Sequence, residues 1–247
     1  YKPEWDPILF NSANYLNHLT MIRREILDMD HLLDPDYNGS QDYEFLQRMI
    51  PQVRQIVHVP KILYHWRAVE GSVAENPEAK LYAYDAARRA IADAIERSGV
   101  DASVTFGEDL GSYDVVYEPD RKPSVAMILV SEDLRDSDLR SLDALELLAH
   151  TDYDNFEMIV VNYEWFTDDP RVHYIYDSAK RTKCELRNYA ARKTDADILL
   201  FLGDDIRPDN ADWLMRLLGQ IKNPDVGIVG PKIIDQKYNV VGAGVTI

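Results

Sequence analysis

The pattern of apolar and polar positions divides this chain near its middle. From Pro123 onward, short apolar runs alternate with amphipathic stretches. Residues 125–130 (Val-Ala-Met-Ile-Leu-Val) form an uninterrupted apolar run, 138–150 a helical pattern, 157–161 a second run, 182–192 a second helix, and 198–202 (Ile-Leu-Leu-Phe-Leu) a third run. Apolar runs of this length without polar alternation read as strands buried on both faces, and strand–helix alternation predicts a mostly parallel sheet with flanking helices. A helix over 210–220 follows, with Trp213, Leu214, Leu217 and Leu218 facing inward, and then a short strand over 226–231.

Before Pro123 the pattern is different. Residues 15–22 and 56–66 read as strands, and Pro60 marks the second as an edge. Between them Ser40 precedes an amphipathic helix over 41–50, apolar at Tyr43, Leu46 and Ile50 and stopped by Pro51. A longer helix is bracketed by Asn76 as N-cap, Pro77 at the first helical position and Gly99 past the last turn, with Tyr84, Ala87, Ile91 and Ile95 as its apolar stripe. Residues 101–122 carry Gly107, Gly111 and Pro119 and read as a linker holding at most a short strand near 113–117.

Composition narrows the class. The 247 residues suffice for one large domain or two modest ones, and 46% hydrophobic with 28% charged residues describes an ordinary globular protein. No apolar run approaches the roughly 18 residues that span a bilayer, and the first ten residues are not a secretory signal. The single Cys184 cannot form an internal disulfide, so a soluble, cytoplasmic chain is expected, with that thiol as small apolar filler. A net charge of −16 argues against a nucleic-acid partner. The same charge makes a divalent cation a natural adaptor for a phosphate-bearing substrate.

One place suggests chemistry directly. The run 198–202 ends in Gly203, Asp204 and Asp205, with Pro208 close behind. In an open α/β sheet ligands bind at the carboxyl ends of the strands, so an acid pair there can hold a divalent metal and, through it, a diphosphate. The alternative is that Asp204 and Asp205 open a turn and lead into the helix beginning near Asp209 or Asn210.

Several segments carry a more specific signal: 37–43 (Tyr-Asn-Gly-Ser-Gln-Asp-Tyr), 63–67 (Leu-Tyr-His-Trp-Arg) with 71–74 (Gly-Ser-Val-Ala), 201–206, 212–214, 226–232 and 242–245. Together they resemble the inverting GT-A glycosyltransferases of family 2, particularly bacterial enzymes with two such domains in tandem that build rhamnose-rich and O-antigen polysaccharides. The resemblance implies an α/β fold of GT-A (Rossmann-like) type, a mostly parallel sheet with flanking helices. In that family the part matching residues after Pro123 comes first and the part with Asp42 comes last. Here the order is reversed. The chain therefore reads as the acceptor-side (C-terminal) half of one repeat over 1–100, a linker over 101–122, and the nucleotide-sugar-binding (N-terminal) half of a second repeat over 123–247. Such a fragment is either inactive alone or docks its halves into a domain assembled in permuted order.

The resemblance also implies transfer, of hexosyltransferase type and with inversion, from a nucleotide-sugar donor to a glycan or lipid-linked glycan acceptor. Mg2+ or Mn2+ would assist, and peripheral membrane association of the full-length enzyme is left open. Gly203-Asp204-Asp205 occupies the place of the Asp-x-Asp motif. Asp205 would be the direct metal ligand and Asp204 would face the ribose or a metal-bound water, with Gly203 standing where the first acid is usual. Asp42 matches the catalytic base. Its place in a helix first turn favours the ionised carboxylate, and a helix-capping acid would occupy the same place. His65 is implied as a third metal ligand, or else as a strand-end histidine packed beside Trp66. Pro123, Ser124 and Val125, with the loop after Val130, match the strand that cradles the base. Arg187 and Asn188 fall where the family contacts nucleotide, unless Arg187 simply pairs with Glu185. The acid usual after the second strand is Asn162 here. Gly203 and Asn162 favour the competing expectation, a catalytically inactive module that binds nucleotide sugar or glycan. A dinucleotide enzyme has little support, because no Gly-x-Gly-x-x-Gly follows the first strand.

Overall fold

The computed structural model describes residues 2–65, 81–119, 121–131, 144–163, 166–179, 181–203 and 206–242. They form two compact units, Tyr1–Glu118 and Pro119–Ile247.

In the first unit, α1 (Pro7–Ser12) starts at Asp6, whose carboxylate accepts the Ile8 and Leu9 N–H groups, and Pro7 takes the first helical position. Helices α2 (Gln41–Met49) and α3 (Leu81–Ser98) pack together, and Gly99, at φ 71°, ends α3 in the left-handed conformation anticipated from sequence. The stripe residues Ala87, Ile91 and Ile95 join Phe10, Tyr43, Leu46 and Tyr113 in one buried cluster. Each large apolar side chain so buried contributes about 1.5–3 kcal/mol. The expected N-terminal signals of α3, Asn76 and Pro77, lie outside the described residues.

Residues 101–122 hold more regular structure than the one short strand expected near 113–117. They hold a two-stranded antiparallel hairpin, β1 (Ala102–Phe106) and β2 (Tyr113–Tyr117), paired along its full length from Ala102↔Tyr117 to Phe106↔Tyr113. The glycines that suggested a loop form its turn. Gly111 sits at φ 84°, and a Cβ on Gly107 would meet Ser112 Oγ at 2.4 Å. The hairpin packs on α3 and α1, and the boundary between units falls at Glu118/Pro119. Neither predicted strand of this half forms a ladder over residues 15–22 or 56–65. An extended apolar segment becomes a strand only when a neighbour takes its backbone hydrogen bonds. Val57, Val59, Ile62 and Leu63 are correspondingly exposed.

The second unit is a four-stranded, all-parallel sheet of the GT-A-like kind, with helices on both faces: β3 (Val125–Val130), β4 (Phe156–Val161), β5 (Val172–Ile175) and β6 (Ile198–Phe201) in the order β5-β4-β3-β6. Every residue of β3 is buried. Its alternate side chains explain this. Val125, Met127 and Leu129 enter one cluster with α4 (residues 144–149) and α6 (Trp213–Ile221), while Ala126, Ile128 and Val130 enter a second cluster with Leu186 and Ala190 of α5 (Lys183–Ala191). The earlier part of the predicted 138–150 helix lies outside the described residues.

Three expectations change here. The strand β5 was not anticipated, being four residues long and half exposed. The run 198–202 was expected to be buried on both faces. Because β6 is the outermost strand, Ile198 and Leu200 reach the core while Leu199 and Phe201 remain 42% and 47% exposed. Residues 226–231 form no strand, and Ile228 is 93% exposed; a short hairpin of β7 (Ile233–Ile234) and β8 (Val240–Gly242) follows instead. Among the described residues no helix is long and apolar enough to cross a membrane.

Candidate functional site

In the second unit the chain runs outward from β3 through β4 to β5, then returns past β3 to form β6 on the other side. The strand order thus reverses between β3 and β6, and the crevice outside their carboxyl ends is where open α/β sheets take ligands. Val130 and Ser131 stand at one lip. Leu202, whose N–H donates to Ile128 O at 3.2 Å, leads the chain out of β6 at the other. Asp204 and Asp205 come two and three residues later and lie outside the described residues.

Asn162 follows β4. It is buried at φ 60°, a left-handed conformation that asparagine tolerates better than most residues. Its N–H donates to Ile175 O at 3.0 Å and its Oδ1 accepts the Asp177 N–H at 2.8 Å, so one residue ties the ends of β4 and β5 together. Asp177 in turn pairs with Arg181, whose guanidinium lies 4.9 Å from the Tyr189 ring centroid. Asn162 therefore has a structural role at the ends of these two strands.

Helix α5 begins with a capping box. Thr182 Oγ1 accepts the Glu185 N–H at 3.4 Å, and the Glu185 carboxylate accepts from Thr182 N at 2.9 Å. That hydrogen bond to the Thr182 backbone holds the Glu185 carboxyl below its ordinary value. Glu185 is thus occupied by the cap, and no Arg187–Glu185 pair forms among the described residues. Arg187 is half-buried, with a covered Nε that has no hydrogen-bond partner among the described residues, and Asn188 is exposed on the same helix.

Pro123, Ser124 and Val125, implied by the resemblance as part of the strand that cradles the base, open β3 at its amino end, one strand length from the crevice. Ser124 N and Oγ donate to Asp197 Oδ2 at 2.9 and 3.0 Å, and Asp197 N donates back to Ser124 Oγ at 2.9 Å, locking the start of β3 to the start of β6. The Ser124 backbone N–H is the largest cause holding the Asp197 carboxyl below its usual range. Val125 is fully buried. These three residues build the sheet, and the crevice lip on β3 belongs to Val130 and Ser131.

In the first unit, Asp42 lies in the first turn of α2 with its side chain 38% exposed. Oδ1 accepts the Tyr43 N–H at 2.8 Å and Oδ2 accepts Asn17 Nδ2 at 2.7 Å; His18 Nε2 lies 3.9 Å from Oδ2. The His18 ring is 6.2 Å from that of Tyr64. Sequence reasoning missed Asn17 and His18 because it placed them in a strand; two adjacent polar residues inside a largely apolar stretch were the available signal. Further along α2, the buried Glu44 pairs with Arg48, which also donates to the carbonyls of His31 and Leu32 and pins that loop to the helix. His65 is exposed and belongs to the first unit, whereas Asp204 and Asp205 belong to the second. Among the described residues no cluster of three or more His, Cys, Asp or Glu could hold a metal ion.

Comparison with known proteins bears on both units. Residues 139–244 match the model of Glycosyl transferase family 2. The whole chain aligns with the uncharacterized protein y4gI of Sinorhizobium fredii (strain NBRC 101917 / NGR234) at 31% identity, spanning 29% of that protein. It also aligns with the O-antigen biosynthesis protein RfbC of Myxococcus xanthus at 30% identity, again over its whole length and spanning 20% of that protein. The chain thus spans less than a third of these curated relatives. Among solved structures it is similar to the mannosyltransferase PcManGT of Pyrobaculum calidifontis, in complex with GDP-Man and Mn2+, at 21% identity and a TM-score of 0.38, over 44% of this chain and 35% of that one. The match over 139–244 takes in strands β4, β5 and β6 of the parallel sheet, so the similarity to Glycosyl transferase family 2 lies within the second unit.

Proposed function

We propose that this chain is part of a glycosyltransferase that moves a sugar, with inversion, from a nucleotide-diphosphate donor to a growing bacterial polysaccharide. One observation carries the reading: within the family-matched segment, the strand tip that leads to Asp204 and Asp205 is one lip of the crevice at the reversal of strand order. Residues 1–100 would serve the acceptor side of one repeat and residues 123–247 the donor side of the next, each working with neighbouring parts of a longer protein.

In this reading the nucleotide lies across the carboxyl ends of β3 and β4, near Ser131 and Asn162, with Arg187 and Asn188 of α5 as further contacts. Asp204 and Asp205 would hold Mg2+ or Mn2+, since adjacent carboxylate oxygens suit either ion. When bound, the cation supplies positive charge opposite the departing diphosphate. Asp42 takes the proton of the acceptor hydroxyl as its oxygen attacks the anomeric carbon from the face opposite the leaving group. Orientation does much of the rest, because in-line attack requires donor and acceptor to be held within contact distance.

Titration calorimetry with UDP, GDP and dTDP, each with and without Mn2+, tests the donor side. The expected result is nucleotide binding that needs the cation and is lost in the double variant Asp204→Asn/Asp205→Asn. Binding that ignores both the cation and these substitutions would overturn the assignment. On the acceptor side, Asp42→Asn in the full-length protein is expected to abolish transfer while nucleotide binding persists. A second reading, a binding module without turnover, is favoured by Gly203 and by the engagement of Asn162 with Asp177. Cation-dependent nucleotide binding without any transfer by the full-length protein would select it.

A further inference from the structure

The assignment of Asp42 as base leaves open what orients its carboxylate. A base must present a lone pair along the path of the acceptor proton, and a half-exposed aspartate is otherwise free to rotate about its side-chain torsions. Here the rotation is blocked from two directions. The Tyr43 N–H takes Oδ1, and Asn17 Nδ2 takes Oδ2 at 2.7 Å, across 25 residues of sequence.

Asn17 is itself oriented. Thr20 Oγ1 donates to Asn17 Oδ1 at 2.9 Å, which turns the amide nitrogen, with its two donors, toward Asp42. The carbonyl of the preceding residue, Leu16, accepts from Lys2 Nζ at 2.9 Å, and that ammonium also reaches His18 O at 3.4 Å, so the backbone on both sides of Asn17 is tied down. The titratable or charged groups facing Asp42 in this arrangement are His18, at 3.9 Å, and Lys2 behind it, with the Tyr64 ring against His18.

We propose that Asn17, oriented by Thr20, is a positioning residue that holds the Asp42 carboxylate in the geometry for proton abstraction. This rests on the reading of Asp42 as the base. It adds a side chain from a segment that precedes α2 and that no motif of the sequence marks. Two lone-pair directions of Asp42 are used in this way, which leaves the others for the acceptor hydroxyl.

The test uses the full-length protein with saturating donor and varied acceptor, so that kcat and kcat/KM are both obtained. Asn17→Ala removes the donor, and Thr20→Val keeps the shape of Thr20 but frees the amide to flip. Asn17→Asp keeps the size of Asn17 but sets a second carboxylate against Asp42. Expected for Asn17→Ala is a fall in kcat of about 10- to 100-fold, the scale of a misplaced acid–base group, with the donor dissociation constant within about twofold of wild type. Thr20→Val is expected to fall between the two. For Asn17→Asp the acidic limb of kcat/KM should move to higher pH by about one unit, because a like charge at hydrogen-bond distance disfavours ionisation of the base. A purely structural role would not produce that displacement. Wild-type kcat and an unmoved pH profile in both Asn17 variants, while Asp42→Asn is inactive, would overturn the positioning role and leave the base standing. Activity retained by Asp42→Asn would instead remove the base reading itself. Should Asn17→Ala fail to fold, Thr20→Val and the limb displacement in Asn17→Asp decide the matter.

Discussion

Replacement of Asn162 separates two effects that coincide at the mouth of the parallel sheet. Its side chain supplies the acceptor for the Asp177 N–H at 2.8 Å, and its backbone sits at φ 60°. Asn162→Ala removes the acceptor, leaving a part-buried N–H without its protein partner at a cost of about 1 kcal/mol. It also places a Cβ-bearing residue with no compensating side-chain hydrogen bond in the left-handed region, for roughly another 1–2 kcal/mol. The sum is about 2–3 kcal/mol. Asn162→Gly loses the same hydrogen bond but adopts positive φ freely, so about 1–2 kcal/mol is expected after its larger unfolded-state entropy is counted. The predicted order, glycine milder than alanine, inverts what holds at ordinary strand positions. Urea unfolding followed by far-UV circular dichroism measures both variants, and amide hydrogen exchange at Asp177 reports the lost bond locally. If alanine proves as stable as glycine or more so, the conformational part of the argument is refuted. If Asp177 exchange is unchanged in both, the bond itself contributes nothing.

Three further outcomes follow from the geometry. Gly39 lies at φ +92°, and a Cβ there would stand 2.8 Å from the Cβ of Ala83, so Gly39→Ala should destabilise the first unit by about 2 kcal/mol or more in thermal unfolding. Thr182→Ala should cost about 1 kcal/mol, Glu185→Ala should destabilise in the same direction, and their double-mutant cycle should show coupling, since both residues belong to one capping box. The Asp169 carboxyl is held down to about 2 by the Arg171 guanidinium, which donates to it at 3.0 and 2.7 Å, and by the Arg171 backbone N–H. Because its folded value is depressed, its stabilisation is present above the unfolded value near 3.9 and is lost as pH falls toward 2. Urea unfolding from pH 6 to pH 2 should accordingly show a difference between wild type and Asp169→Asn that shrinks across that window; a constant difference would contradict it.

Much of the second unit is legible in its amino-acid order. The run at 125–130 is uniformly apolar and that at 156–161 is apolar except for Glu157, and apolar runs of this length have few outcomes other than a strand covered on both faces. The capping box at Thr182 and the glycine after α3 are local chemistry, set by residues three or four positions apart. Those features need no knowledge of distant chain.

What the tertiary structure decided is neighbourhood. Leu199 and Phe201 have the same character as the residues of β3, yet they are exposed because β6 is the last strand of its sheet among the described residues, a property of strand order rather than of composition. Residues 101–117 carry turn glycines that fit a linker or a hairpin equally, and pairing of Val104 with Val115 selects the hairpin. Pro123–Val125 match a strand by resemblance, but a strand has two ends and only the folded sheet shows which one faces the crevice. Asn17 meets Asp42 across 25 residues because α2 folds back against the segment before it. Hydrophobic periodicity is a local property and names the elements, whereas partners, edges and the orientation of a carboxylate depend on contacts between residues far apart in the chain.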